Sequence, residues 1–261
     1  MSSALFLGSG ASPGVPSLSN GFGDCDPENP KNIRRRTTTL YEVNGVKIMI
    51  DTSPDLRSQC LDYNIRMVHA VCYTHAHSDH LHGIDDIREI NRIMHKPMDV
   101  YACKPTMKEI KKRFSYLFVK IQSKFFYCTR AGIIPHVVKP NREFFINGIK
   151  LVPLKLLGHN MESYGYIIND EIVHIADFKV LSDSAIKQIR AIKPKLMVMP
   201  LTVIEPHRRH VGLSEVIDYA KMFEPEHVVL NHMASECDYD YVNSHTPDFI
   251  EPAYDGLKVE W

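Results

Sequence analysis

Short apolar and β-branched runs at 4–7, 38–43 and 46–50 open the chain, separated by turn-forming residues. Asn44-Gly45 lies between the last two runs and has the chemistry of a two-residue turn, which predicts a β-hairpin over 38–50. Similar runs at 68–73, 150–157, 164–168, 172–175, 196–199 and 228–230 read as further strands. Helical spacing of apolar positions appears over 85–94 and 105–118, and helices are also predicted at 183–191 and 214–223, the last with Ser214 as its N-cap. Strands and helices interleave without a low-complexity linker, so one α/β domain over 1–261 is expected. Residues 8–31, rich in Gly, Pro, Ser and Asn, read as a long loop of the kind that carries function.

Composition narrows the class. With 44% hydrophobic and 24% charged residues, the 261-residue chain matches ordinary globular proteins and excludes collagen-like or disordered ones. Lys plus Arg equals Asp plus Glu at 31 each, so no global basic field exists to hold nucleic acid or an anionic membrane. Charge is uneven locally: Arg34-Arg35-Arg36 is a basic run, and 104–130 carries eight basic residues against the single acid Glu109. The second segment reads either as a solvated face or as a substrate-facing lid. No apolar run approaches the ~20 residues of a membrane span, and the N-terminus lacks a basic stretch followed by a long apolar one, so a cytoplasmic protein is expected. Six cysteines without C-x-x-C spacing fit a reducing compartment, with Cys60, Cys72, Cys103 and Cys128 as small buried hydrophobes. Histidine, 14 in 261, is the anomaly.

Its densest cluster is Thr74-His75-Ala76-His77-Ser78-Asp79-His80, directly after the apolar run 68–73. Alternation places His75, His77 and Asp79 on one side of an extended segment, with His80 turning back toward them. Imidazole suits Zn, Fe and Mn-like ions, and a carboxylate hardens the site toward a water oxygen. In α/β sheets, sites assemble at the carboxyl ends of strands. His159, Asp177 and His232 all follow apolar strands, which brings the set to seven residues, enough for two metals sharing one carboxylate.

The pattern H-x-H-x-D-H, then His, Asp and His in this order, resembles the metallo-β-lactamase superfamily. That resemblance implies an α/β fold, a four-layer αβ/βα sandwich with a dinuclear site at one edge of two packed sheets. It implies that His75, His77 and His159 hold one metal, that Asp79, His80 and His232 hold the other, and that Asp177 bridges them. Two divalent ions, Zn or Mn or else Fe, are the implied cofactors. Such a pair activates a bridging hydroxide and clamps both oxygens of a displacement, so hydrolysis is the implied reaction, with Asp79 essential to it. Asp rather than Cys at 177 favours oxygen-preferring sites suited to phosphate esters.

A narrower likeness rests on Gly8-Ser9-Gly10-Ala11-Ser12-Pro13-Gly14-Val15-Pro16, Asp51-Thr52-Ser53-Pro54-Asp55, the stretch from Asp79 to Arg88, Pro206-His207-Arg208-Arg209-His210 and Pro252-Ala253-Tyr254-Asp255-Gly256. These resemble phosphodiesterases of the carbon-phosphorus lyase accessory type, which implies a small or cyclic nucleotide-like phosphodiester as substrate. The resemblance also implies that His207 or His210 contacts the substrate or acts as general acid. Asp51, Asp85 and Asp86 are candidates for orienting a ligating imidazole. Relatives of this type carry a cysteine cluster near 22–26 and a second histidine after the metal histidine, together a structural zinc site. This chain has only Cys25 there, and Ser235 at the histidine's place, so Cys25 and Cys237 are not expected to bind metal.

The same seven ligands also fit a thioester or lactone hydrolase of glyoxalase II type, a tRNA 3′-processing endonuclease, and a metal-binding protein that has lost catalysis. Zero net charge and the lack of a Gly/Pro-rich arm disfavour a nucleic-acid partner, and the intact ligand set disfavours lost catalysis. No membrane partner is expected, and the sequence leaves monomer or homodimer open.

Overall fold

A computed structural model describes residues 2–118 and 130–261. The strands in chain order are β1 (Ser3–Gly8), β2 (Thr38–Val43), β3 (Val46–Ile50), β4 (Ala70–Cys72), β5 (Met98–Cys103), β6 (Ile133–Val138), β7 (Phe144–Ile146), β8 (Ile149–Leu157), β9 (Ser163–Ile168), β10 (Ile172–His174), β11 (Val180–Leu181), β12 (Leu196–Pro200), β13 (His227–Asn231), β14 (Ile250–Pro252) and β15 (Lys258–Glu260). The helices are α1 (Leu56–Asp62), α2 (Ser78–Leu81), α3 (Ile87–Met94), α4 (Lys104–Arg113), α5 (Asp183–Arg190), α6 (Leu213–Phe223) and α7 (Tyr239–Ser244).

Two sheets result. The first has the order β15-β1-β2-β3-β4-β5-β6, and the second β11-β8-β9-β10-β12-β13-β14 with β7 paired to β8. Each is mixed: β3 to β6 run parallel in the first, and β10, β12, β13 and β14 run parallel in the second. The period-two rule explains the layering. In the first sheet Phe6, Tyr41, Ile48, Ile50 and Cys72 face the core shared with the second sheet. The alternate residues Leu7, Leu40, Met49, Val71 and Tyr73 face a separate core under α1, α3 and α4. Ala185 and Ile189 of α5 and Val216 and Ala220 of α6 join the shared apolar cluster from the second sheet's side. The arrangement is the expected αβ/βα sandwich.

Several element boundaries differ from expectation. The segment 105–118 is not one helix: α4 ends at Arg113, Phe114 leaves the helical backbone, and a 3₁₀ turn covers Ser115–Phe118. Gly212, not Ser214, caps α6; its N–H donates to the Glu215 carboxylate at 3.0 Å. The strand expected at 68–73 shortens to Ala70–Cys72. Strands β5 and β6 were not foreseen. Pro135 lies within β6, where it is tolerated because that strand is the sheet's edge. Residues 119–129, with Lys120, Lys124 and Cys128, lie outside the described residues, so the middle of the segment read as a lid lies there too.

The basic run 34–36 is held internally, two of its members in ion pairs and one buried on neutral acceptors. Arg34 is 1% exposed. Arg35 pairs with Asp255 and Asp62, and Arg36 forms a two-pronged pair with Asp55 at 2.8 and 2.6 Å. Gly8 serves packing, since a Cβ there would lie 2.1 Å from the Arg36 carbonyl oxygen. No helix among the described residues is long and apolar enough to cross a membrane.

Candidate metal centre

The parallel strands of both sheets end at one edge, where the chain turns into the loops that carry the candidate ligands. Asp51 follows β3, the histidine cluster follows β4, His159 follows β8, Asp177 follows β10, and His232 follows β13. The motif after β4 is not extended throughout. His77 is the N-cap of α2, so Asp79 and His80 lie on the first turn of a helix rather than on an alternating strand.

The seven residues come together in two groups. His75, His77, His159 and Asp177 form one and Asp79, His80 and His232 the other, the ligating atoms of each lying within 4.8 Å of one another. In the first, His75 Nε2 and His159 Nε2 lie 2.9 and 3.1 Å from His77 Nδ1. In the second, His232 Nε2 is 3.3 Å from His80 Nε2 and 3.2 Å from Asp79 Oδ2. Asp177 stands between them, its Oδ2 3.8 Å from His75 Nε2 and 3.9 Å from His80 Nε2, its Oδ1 3.3 Å from His232 Nδ1.

Surrounding hydrogen bonds fix which nitrogen each ring turns inward. The Thr74 hydroxyl donates to Asp51 Oδ2 at 2.7 Å, so it accepts from His75 Nδ1 at 3.0 Å and leaves the His75 Nε2 lone pair facing the group. His80 Nδ1 donates to Asp51 Oδ2 at 2.7 Å, which likewise turns His80 Nε2 inward. Thr202, at the end of β12, holds His232 Nδ1 at 3.0 Å. Asp51 is thus the orienting carboxylate. Asp85 instead accepts from Tyr116 OH, and Asp86 lines a separate groove with Cys60 and Ile93, so neither orients a ligand. Asp51 and His232 both adopt left-handed backbone, with φ of 61° and 57°. That conformation costs about 1–2 kcal/mol per residue, a strain that collects at functional sites.

The electrostatics favour a cation between these groups. Burial pushes His75 well down and His159 to about 4, so both rings are neutral near pH 7 and offer lone pairs. Burial opposes ionisation of Asp177, but the imidazoles of His232 and His80 outweigh it and hold the carboxyl below its ordinary range. His159 Nδ1 and Asp177 Oδ1 are buried without a hydrogen-bond partner among the described residues. Neutral nitrogens converging on one another at 2.9–3.1 Å, beside an ionised carboxylate, fit divalent metal binding.

A cleft of about 300 Å³ opens onto this centre, lined by His77, Asp79, His159, Asp177, His210 and His232 together with Ala11, Ser12 and Pro13 of the first loop. His210 is half-buried, its ring 5.4 Å from that of His159 and its Nδ1 3.4 Å from Thr202 Oγ1. His207 is exposed and lines an adjoining cleft. Thr74 and Thr202 were not singled out in the sequence, although Thr202 obeys the strand-end rule that found the ligands. Near residues 25 and 237, the buried Arg34 guanidinium donates to the Cys237 carbonyl at 2.8 Å and to Asn32 Oδ1 at 2.9 Å, with Cys25 Sγ 3.8 Å away. Burial raises both thiols, that of Cys237 to about 12, so both stay neutral.

Comparison with known proteins agrees with this geometry. The family described as Beta-lactamase superfamily domain matches residues 46–233. An octanoyltransferase of Porphyromonas gingivalis (strain ATCC BAA-308 / W83) is 29% identical over 257 residues, 98% of this chain but 51% of that protein. The chain therefore spans about half the length of this curated relative. The crystal structure of a diphosphatase from the PhnP family is 27% identical with a TM-score of 0.88, covering 100% of this chain and 98% of that one. That likeness agrees with the narrower resemblance read from the motifs. Human tRNase Z, short form, shares the fold at 14% identity and a TM-score of 0.70, over 99% of this chain and 98% of its own. From the matched region and the fold, this chain belongs to the metallo-β-lactamase branch of the beta-lactamase superfamily.

Proposed function

We propose that the protein is a metal-dependent phosphodiesterase acting on small phosphate esters. The observation that carries this reading is His210, held at the edge of the cleft beside an all-His/Asp ligand set that lacks a thiolate. His75, His77 and His159 with Asp177 would hold one divalent ion, and Asp79, His80 and His232 with Asp177 the other. The pair would supply Lewis acidity and a water of lowered pKa. The chain's own residues do the rest. Asp51, Thr74 and Thr202 keep the ligating lone pairs turned inward. Because His232 Nδ1 meets the Thr202 oxygen, the Thr202 hydroxyl hydrogen is directed to His210 Nδ1. His210 then carries its proton on Nε2, where it would donate a hydrogen bond to the charge developing on a leaving oxygen. His207, outside that cleft, is not given this role.

The phosphodiesterase likeness and the PhnP-family diphosphatase support this reading. A second reading, hydrolysis of a thioester or lactone, is favoured by one observation: the relative named octanoyltransferase, half of whose length this chain matches. Metal content by elemental analysis, with turnover of bis-p-nitrophenyl phosphate, a cyclic nucleotide panel and an octanoyl thioester, separates the two. Two metal equivalents with thioester but no phosphodiester cleavage would overturn the leading proposal.

A further inference from the structure

Between β12 and α6 the chain makes a loop pinned at several points. The Leu213 N–H donates to the Ile204 carbonyl at 2.9 Å, closing its base, and the His207 N–H donates to the His210 carbonyl at 3.1 Å, closing its tip. Lys179, paired with Glu215 at 2.7 Å, also reaches the His210 carbonyl at 3.4 Å. The base is close-packed: a Cβ on Gly212 would lie 2.6 Å from the Pro206 nitrogen. These bonds leave Arg208 and Arg209 at the two apex positions.

Both side chains are exposed, and among the described residues neither has a hydrogen bond, ion pair or ring contact. Arg209 lines the metal-centre cleft. Arg208 and Arg209 also line an adjoining cleft of about 480 Å³, with His207 on their side and Gly158, His159 and Asn160 opposite. The two clefts share His159, Asn160 and Arg209, so they are continuous. The lining of the second contains no carboxylate, and among the described residues neither guanidinium is in an ion pair. A planar fork of donors with no partner, one step from a metal centre, is suited to a phosphate oxygen pair.

We propose that Arg208 and Arg209 form a second anion subsite, so that the substrate carries a second phosphoryl group next to the scissile one, as in a diphosphate-linked diester. This inference rests on the phosphodiesterase reading and sharpens its substrate class. Water adds across the P–O–P bridge: its oxygen bonds the phosphorus at the metal centre, and the bridging oxygen departs with the phosphoryl group held by the arginines. One water proton goes to that departing oxygen, the other stays on the attacked phosphoryl group until lost to solvent, and two phosphate monoesters result.

The test compares wild type, Arg208→Ala, Arg209→Ala, the double variant and Arg209→Lys on ADP-ribose and on bis-p-nitrophenyl phosphate, which has no second phosphoryl group. Calorimetry with α,β-methylene-ADP supplies a readout independent of turnover. The double variant is expected to lower the ratio of kcat/KM for ADP-ribose to that for bis-p-nitrophenyl phosphate by about 10- to 100-fold, mainly through KM, as expected for lost charge-assisted hydrogen bonds. Binding of α,β-methylene-ADP should weaken in parallel, with Arg209→Lys intermediate. An unchanged ratio, or a wild type that cleaves bis-p-nitrophenyl phosphate but not ADP-ribose, overturns the subsite and leaves the phosphodiesterase reading standing. If wild type cleaves neither ester, the phosphodiesterase reading falls and calorimetry decides the subsite alone. Binding lost in the double variant supports it, whereas equal or absent binding overturns it.

Discussion

Replacing Asp51 by Asn tests whether the metal ligands take their orientation from this carboxylate. Asp51 is 2% exposed and accepts from the Thr74 N–H on Oδ1, and from the Thr74 hydroxyl and His80 Nδ1 on Oδ2. Asparagine is nearly the same size but has only one accepting oxygen. If that oxygen stays on the Thr74 N–H, the –NH₂ faces His80, whose Nδ1 must then accept. The ring proton moves to Nε2, the nitrogen turned toward Asp79 and His232. If the amide flips, its –NH₂ instead faces the Thr74 N–H, which cannot accept. Either arrangement costs about 1–3 kcal/mol for an unmet buried donor. In the first the loss falls on metal binding, where an orienting partner is worth about 10- to 100-fold in affinity. In the second it falls on stability, roughly 2–4 °C in Tm per kcal/mol at this chain length. Elemental analysis after dialysis against buffered metal, with thermal unfolding in the presence and absence of EDTA, reads both. Two metal equivalents at wild-type affinity together with an unchanged Tm would refute the reasoning.

Three other predictions follow from the same geometry. His210→Ala is expected to lower kcat on a phosphodiester by about 10²- to 10⁴-fold with metal content unchanged; turnover within twofold of wild type would remove His210 from the reaction. Arg34→Ala should destabilise the fold by about 1–3 kcal/mol in urea unfolding, the cost of leaving the buried Cys237 carbonyl and Asn32 amide oxygen without their donor, and a loss below ~0.5 kcal/mol would show that the guanidinium does not hold its loops together. Burial holds His174 at about 3, against an ordinary imidazole near 6.5, so the unfolded chain binds one more proton between those values. Its contribution to stability is therefore flat above about pH 6.5 and falls by about 1.4 kcal/mol per pH unit below it until about pH 3. In His174→Asn, which keeps an acceptor for Tyr41, the acid limb should lose about one proton of slope; an unchanged limb would show that native His174 already carries the proton.

The clustering of the candidate ligands was legible because strand ends obey a simple rule. His159, Asp177 and His232 each follow a short apolar run of strand length, and parallel strands bring such ends to one edge. The local geometry of Asp79 and His80 was not legible, because alternation fits a strand until hydrogen bonding bends Ser78–Leu81 into a helical turn. The different placement of His207 and His210 follows from a loop pinned by Lys179 and Glu215, a contact across 36 residues that no local pattern records. Strand β6 escaped notice because Pro135 breaks its pattern, and only its place at the sheet edge makes that residue acceptable. Ser214 has the right chemistry for a cap, yet the helix begins one residue earlier, where Gly212 packs too closely for a side chain.

Arg34 separates two properties that a bound ion would join. Its guanidinium links Asn32 to the Cys237 carbonyl, and so ties the loop after β1 to the loop after β13, both of which border the cleft. A cation that is part of the chain does not exchange. A chelator cannot withdraw it, a competing metal cannot displace it, and oxidation of the nearby thiols does not release it. Metal starvation would then leave the candidate centre empty while the loops around it stayed in place. Reloading would be a binding event on a standing scaffold rather than a refolding event, and its rate would follow metal supply rather than the slow ordering of chain.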